Sequence, residues 1–182
     1  MTKSIETDIL IIGAGPVGLF TVFEAGLLGL KCHLVDNLDK IGGQCIELYP
    51  EKPIYDIPGV PNQTGKEHIN SLLKQIEPFD YEVHLNQRVD KIEQSGDHWI
   101  AETTDGISFK TLNIFIAAGA GSFEPRKPPV ESPDKFLGKG IDYAVRSVDK
   151  YKDKDIVIFG GGDSALDWSV ELANKAKSIK LV

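Results

Sequence analysis

Residues 8–18 read Asp8-Ile9-Leu10-Ile11-Ile12-Gly13-Ala14-Gly15-Pro16-Val17-Gly18, and the order of residue types decides the fold. The apolar run at 8–12 has the length and β-branched content of a buried strand, and it stops at a glycine. From 16 to 30 apolar residues recur at helical spacing, with proline at the first helical position, where its missing N–H costs nothing. The three glycines between have different tasks. Gly13 permits a tight turn, Gly15 lets backbone approach a pyrophosphate, and Gly18 lets the helix lie close on the strand. The helix N-terminus opened by Pro16 attracts phosphate charge. Residues 31–35 form the next apolar run, ending at Asp36, so the first 36 residues make a βαβ unit with parallel strands. A carboxylate there accepts hydrogen bonds from both ribose hydroxyls and repels a 2′-phosphate, which predicts FAD or NAD over NADP at this site.

Outward from that unit, residues 42–65 are rich in Gly and Pro and read as mostly loop, followed by a helix over 66–77 and a strand over 81–85. Short β-like runs at 88–95, 99–103 and 107–111 are separated by Gly96-Asp97 and Asp105-Gly106, both turn signals, and predict an antiparallel meander. A further strand is expected at 113–118. The Pro-rich crossing at 119–133 marks a boundary between a domain of residues 1–122 and a second of residues 123–182. In the second, a strand at 155–159 meets Gly160-Gly161-Gly162-Asp163-Ser164-Ala165, which opens a helix over 163–177 and leads to a strand at 178–182. Here Ala165 replaces the third glycine, and Gly160, Gly162, Asp163, Ser164 and Ala165 are the candidate nucleotide contacts. The fold class is α/β with two Rossmann-like dinucleotide-binding units, the first carrying a β-meander crossover and the second incomplete. Two strands are too few for a stable sheet, so the chain is expected to be truncated, and this piece alone is expected to bind FAD weakly and to lack turnover.

Composition excludes several function classes. With 41% hydrophobic and 26% charged residues in 182, the chain is of ordinary globular type. No apolar run approaches the roughly 20 residues of a membrane span, and the N-terminus lacks a signal-peptide core, so a cytoplasmic protein with no membrane partner is expected. A net charge of -7 argues against nucleic acid. Two cysteines, Cys32 and Cys45, make no disulfide framework. The four histidines, His33, His68, His84 and His98, lack zinc-like spacing and read as surface or packing residues, so no metal site is expected. No triad or carboxylate pair is legible, and no catalytic side chain is assigned.

Several segments together resemble the thioredoxin-reductase-like ferredoxin–NADP reductases over nearly the whole chain. They are Gly42-Gly43-Gln44, Tyr49-Pro50-Glu51-Lys52, Tyr55-Asp56-Ile57-Pro58-Gly59, Ile116-Ala117-Ala118-Gly119-Ala120, and the run from Gly160 to Trp168. The resemblance implies two cofactors, FAD on the first unit and NADP on the second. It places Asp36 on the FAD ribose, Gln44 and Tyr49 beside the flavin, Ala118 at the strand end next to it, and Val89 and Phe123 in the lining of the FAD pocket. It also implies a homodimer in which NADPH reduces FAD and single electrons pass to ferredoxin or flavodoxin.

Disulfide reductases of this fold carry a cysteine pair just after the Gly-Gly turn or in the nicotinamide domain. In the first arrangement Cys45 would need a partner where Pro50 stands; in the second, the pair would lie near Tyr143, where the chain reads Ala144-Val145-Arg146-Ser147. A direct flavin-to-carrier route is therefore favoured. A thioredoxin-reductase-like disulfide reductase, a flavin-dependent oxygenase and a catalytically silent FAD-binding module remain as alternatives. Residues 126–154 hold eight Lys or Arg against five Asp or Glu, a mild basic excess that would suit an acidic carrier.

Overall fold

The computed structural model describes residues 3–121 and 127–182. The chain folds as two compact units, Met1–Phe123 and Glu124–Val182. In the first, β1 (Lys3–Ile12), α1 (Pro16–Leu27) and β2 (Cys32–Val35) form the expected βαβ unit, and the strands run parallel with Ile9 opposite Cys32 and Ile12 opposite Val35. After α2 (Gln44–Glu47), β3 (Pro53–Ile54) and β4 (Gln63–Thr64) come α3 (Gly65–Ile76) and β5 (Tyr81–His84), then the meander β6 (Val89–Ser95), β7 (His98–Thr103) and β8 (Ile107–Ile116). The main sheet has six strands in the order β5-β2-β1-β8-β7-β6. Its first four strands are parallel, and the last three pair antiparallel.

Both faces of this sheet are buried, which is why β1 reads as continuous apolar sequence rather than alternation. Ile9 and Ile11 point to one side and pack with Leu19 and Val22 of α1, Leu34 of β2, and Ile69 and Ile76 of α3. Leu10 and Val35 point to the other, where Ala101 and Phe109 of the meander close over them. Each of these side chains larger than alanine contributes about 1.5–3 kcal/mol on burial.

Helix α1 ends at Leu27, three residues before the apolar pattern stops. The cause is Gly29 at φ +70°, which turns the chain so that its N–H reaches the Gly26 carbonyl and the N–H of Leu30 reaches that of Ala25. Two strands expected at 107–111 and 113–118 are one, β8, because no Gly or Pro interrupts them and β1 pairs along the whole length from Lys3 opposite Ile107 to Ile12 opposite Ile116. Strand β1 accordingly starts at Lys3 rather than Asp8, with Glu6 held by Lys110 at 3.1 Å. The stretch read as loop at 42–65 contains α2 and the β3–β4 pair.

The histidines are not all scattered. Strands β2 and β5 lie side by side with His33 opposite Glu82 and Val35 opposite His84, so residues 51 apart in sequence meet: His33 Nδ1 stands 2.9 Å from His84 Nε2. His33 is 1% exposed, and burial pushes its imidazole down from the ordinary value.

The second unit contains β9 (Asp155–Ile158), α4 (Asp163–Leu172) and β10 (Ser178–Leu181), with β9 and β10 parallel. Helix α4 stops five residues before the expected 177 because the backbone beyond it is taken by another segment: the Lys175 carbonyl accepts from Asp153 N–H, and Lys177 N–H donates to the Lys154 carbonyl. Among the described residues no helix is long and apolar enough to cross a membrane.

Candidate functional site

At the carboxyl ends of β1, β2 and β8 the backbone of the first glycine loop is fixed from three sides. Gly13 N–H donates to the Val35 carbonyl at 2.8 Å, and Ala117 N–H donates to the Ile12 carbonyl at 2.8 Å. Gly13 has φ +110°, and a Cβ there would stand 2.3 Å from the Ala117 carbonyl oxygen, so no other residue fits. A Cβ on Gly18 would stand 1.9 Å from the Gly13 carbonyl oxygen; this glycine allows α1 to sit on the loop. Gly15 is the residue preceding α1 and caps it with no side-chain bond, and Pro16 takes the first helical position. The amides of the first turn of α1 are thus presented to whatever anion lies on the helix axis.

Asp36 is tied into this loop. One carboxylate oxygen accepts the Ala14 N–H at 2.7 Å and the other the Leu38 N–H at 2.8 Å, which leaves each oxygen a further lone pair for a ligand hydroxyl. The Ala14 carbonyl in turn accepts from Gly42 N–H at 2.9 Å, and Gly43, at φ +54°, packs on Gly15, where an added Cβ would lie 3.0 Å from the Gly15 Cα. Ala14, fully buried, is therefore the hinge between Asp36 and the Gly42-Gly43 turn. Its role had no sequence signal beyond being small; that of Gly43 was visible only as half of a glycine pair.

The other sequence candidates fall at different distances from this centre. Gln44 opens α2, and its Nε2 would be 3.3 Å from a Cβ placed on Gly119, so it faces the segment following β8. Ala118 lies beside Gly13, its Cα 3.1 Å from where that Cβ would be. Val89 opens β6 and packs against the core group of Leu10 and Val35, just below Asp36. Residues of that edge are clamped to the same carboxylate residue, since Gln87 N–H donates to the Asp36 carbonyl and Asp36 N–H to that of His84. Tyr49 stands farther along, past α2, with its carbonyl against Gly65 and the Lys52 ammonium over its ring at 5.0 Å. Phe123 lies outside the described residues.

The second loop has the same plan with more room. Gly160 follows β9 at φ +140° and donates its N–H to the Val182 carbonyl at 2.8 Å. Gly162 precedes α4, Asp163 and Ser164 occupy its exposed first turn, and Ala165 is buried with its Cβ 3.6 Å from a Cβ built on Gly160. A methyl is thus ordinary contact at the position where the first loop accepts only hydrogen.

Neither thiol is poised for chemistry. Cys32 is buried in β2, and burial, with the Asp80 carboxylate adding to it, pushes its thiol up to about 11; burial also raises Cys45. Within the basic run of 126–154, Lys127 pairs with Asp134 at 2.6 Å and Lys150 with Asp142 at 2.7 Å.

Comparison with known proteins agrees with this geometry. The chain is 55% identical over its whole length to a ferredoxin–NADP reductase of a Bradyrhizobium species, covering 54% of that protein. It is 53% identical over 98% of its length to the ferredoxin–NADP reductase of Pelagibacter ubique, covering 52% of it. The chain therefore spans about half the length of the curated relatives it matches. Among solved structures, thioredoxin reductase of Lactococcus lactis superposes with a TM-score of 0.75 at 25% identity, over 96% of this chain and 55% of that one. Residues 51–182 match the model of the pyridine nucleotide-disulphide oxidoreductases, and with two glycine-loop units of this construction on one chain, the protein belongs to that family.

Proposed function

We propose that this chain is the FAD-binding region and the start of the NADPH-binding region of a ferredoxin–NADP reductase, with residues 1–122 serving FAD and residues 123–182 serving NADPH. The observation that carries the reading is the coupling of Asp36 to the first glycine loop through the Ala14 N–H. That arrangement sets a ribose-binding carboxylate and a phosphate-binding helix terminus in fixed relation, which is what a dinucleotide needs. Gly13, Gly15, Pro16 and Gly18 shape the loop so that α1 meets the pyrophosphate, and Asp36 holds the ribose. Gln44, Tyr49, Val89 and Ala118 line the remainder of the FAD site, while Gly160, Gly162, Asp163, Ser164 and Ala165 form the NADPH loop.

Bound FAD supplies the conversion between a two-electron hydride donor and a one-electron acceptor. The chain's own residues bind and orient; burial raises both thiols, which disfavours the reactive thiolate, and Pro50 stands where a partner for Cys45 would be, so this chain contributes no dithiol to the route. That favours ferredoxin or flavodoxin over a disulfide as acceptor, as do the names of the relatives. The working form is a cytoplasmic homodimer.

Anaerobic titration with NADPH tests the reading. The flavin absorbance of the FAD-loaded full-length protein should bleach with NADPH and return on addition of oxidised ferredoxin. Retention of the oxidised flavin spectrum under excess NADPH would reduce the chain to a binding module.

A further inference from the structure

Three side chains that the nucleotide sites do not use converge on the face of the sheet opposite α1 and α3. His33 and Val35 of β2 share that face with Glu82 and His84 of β5, because the parallel register sets His33 opposite Glu82 and Val35 opposite His84. His33 Nδ1 is 2.9 Å from His84 Nε2 and 4.0 Å from a carboxylate oxygen of Glu82. One candidate ligand atom from each of the three lies within 4.8 Å of the other two.

The burial of these groups is graded. His33 is 1% exposed, His84 is half-buried, and the Glu82 side chain is 60% exposed, so the cluster runs from the core to solvent and an ion could enter from the Glu82 side. His33 is fixed in place by Phe109, whose ring also meets His84 edge-on. The second ring nitrogen of His33, Nε2, is buried without a hydrogen-bond partner. The cost of burying this imidazole is therefore offset at Nδ1 alone, by whatever lies between it and His84.

We infer that His33, His84 and Glu82 form a binding site for a single divalent transition ion of the zinc class, bridging β2 to β5. Two imidazoles and a carboxylate are a borderline-soft set that suits Zn2+, Co2+ or Ni2+ rather than Mg2+ or Ca2+, and solvent completes the coordination on the open side. In the structure as it stands the two rings share one proton in a hydrogen bond. The ion takes the place of that proton, which moves to the other nitrogen of the donating ring, so both imidazoles stay neutral and no electron changes hands. Metal–nitrogen bonds of about 2.0–2.1 Å in tetrahedral geometry require the nitrogens to stand roughly 3.3 Å apart, so the pair opens by a few tenths of an ångström. The half-buried His84 and the exposed Glu82 supply that movement while His33 stays put.

The site would stiffen the edge that holds Asp36, since His84 is opposite Val35 and its carbonyl accepts the Asp36 N–H at 3.0 Å. It is separate from the nucleotide reading and stands or falls independently of it.

The test uses metal-free, FAD-loaded protein. Calorimetric titration with Zn2+ should show one ion per chain, and Co2+ should give the visible ligand-field bands of a four-coordinate nitrogen and oxygen site without thiolate charge-transfer bands. His84→Gln should weaken Zn2+ binding at least a hundredfold and Glu82→Gln about tenfold, and saturating Zn2+ should raise the melting temperature of the parent protein but not of His84→Gln. Glu82 is exposed, so its variant folds and keeps the test decisive even where His84→Gln is damaged. Absence of one-to-one binding, equal affinity in Glu82→Gln and the parent, or Co2+ bands of thiolate type pointing to Cys32 or Cys45 would each overturn the site.

Discussion

Gly18 and Ala165 occupy the same position in the two nucleotide loops, and substitution should destabilise each for a different reason. Gly18→Ala forces a methyl to within 1.9 Å of the Gly13 carbonyl oxygen, so the loop or the helix must move; a cost of about 1–3 kcal/mol and loss of FAD are expected. Ala165→Gly removes a methyl that already fits, and should cost about 1 kcal/mol through helix propensity alone. Urea midpoints and retained flavin absorbance of the two variants give the comparison. Asp36 offers a sharper probe, because its two oxygens accept the Ala14 and Leu38 amides as a charged acceptor. Asp36→Asn can accept only through one atom, and hydrogen bonds to charged groups contribute about 1.5–3 kcal/mol, so FAD affinity should fall roughly tenfold to a hundredfold in a fluorescence titration. Unchanged affinity would place the ribose elsewhere. At this scale the sequence was most legible where a residue type is nearly obligatory. Gly13 and Gly18 were readable from spacing, since each answers a steric requirement that few residues meet, and Asp36 was readable as the acid that ends the second strand. Ala14 and the His33–His84 pair were not: Ala14 acts through its backbone, and the histidines are neighbours only through strand register.

Among the elements, α3 has the most explicit start signal. Thr64 accepts the Glu67 N–H through its hydroxyl oxygen, and the Glu67 carboxylate accepts the Thr64 N–H at 2.7 Å, a reciprocal capping box. Thr64→Ala should destabilise the first unit by about 1 kcal/mol, read from its thermal midpoint. The hydrogen bonds from Thr64 hold the Glu67 carboxyl below its ordinary value of 4.5. A depressed carboxyl contributes stability that is complete above the unfolded value and disappears as pH falls through the folded one, so the contribution of this cap should be intact at neutral pH and fade below about pH 4.5. Thermal midpoints of the parent and Glu67→Gln should accordingly converge on acidification; a constant difference would contradict the assignment. Strand and helix types were read correctly from period and punctuation, while ends were misplaced where the cause was tertiary. Helix α4 loses its last turn because segment 153–154 takes the backbone groups, and β8 runs through Leu112 because β1 pairs with both halves. Neither partner is local in sequence, so neither end could be read locally.

For the whole molecule, the separation into two glycine-loop units was legible from the second Gly-rich strand-to-helix turn, and the family follows from residues 51–182. What composition could not supply is where charges pair: within the basic run at 126–154, Lys127 is held by Asp134 and Lys150 by Asp142. The family description includes disulphide chemistry, yet this chain carries two cysteines, both free and both with raised thiol pKa. Electrons should therefore leave the flavin without passing through these thiols. The decisive measurement follows NADPH oxidation by the full-length protein, with oxidised ferredoxin and with a thioredoxin-type disulfide as alternative acceptors, in the parent and its Cys32→Ala/Cys45→Ala variant. The account predicts ferredoxin reduction at the same kcat in both and no turnover with the disulfide. Disulfide turnover that disappears in the double variant would contradict it.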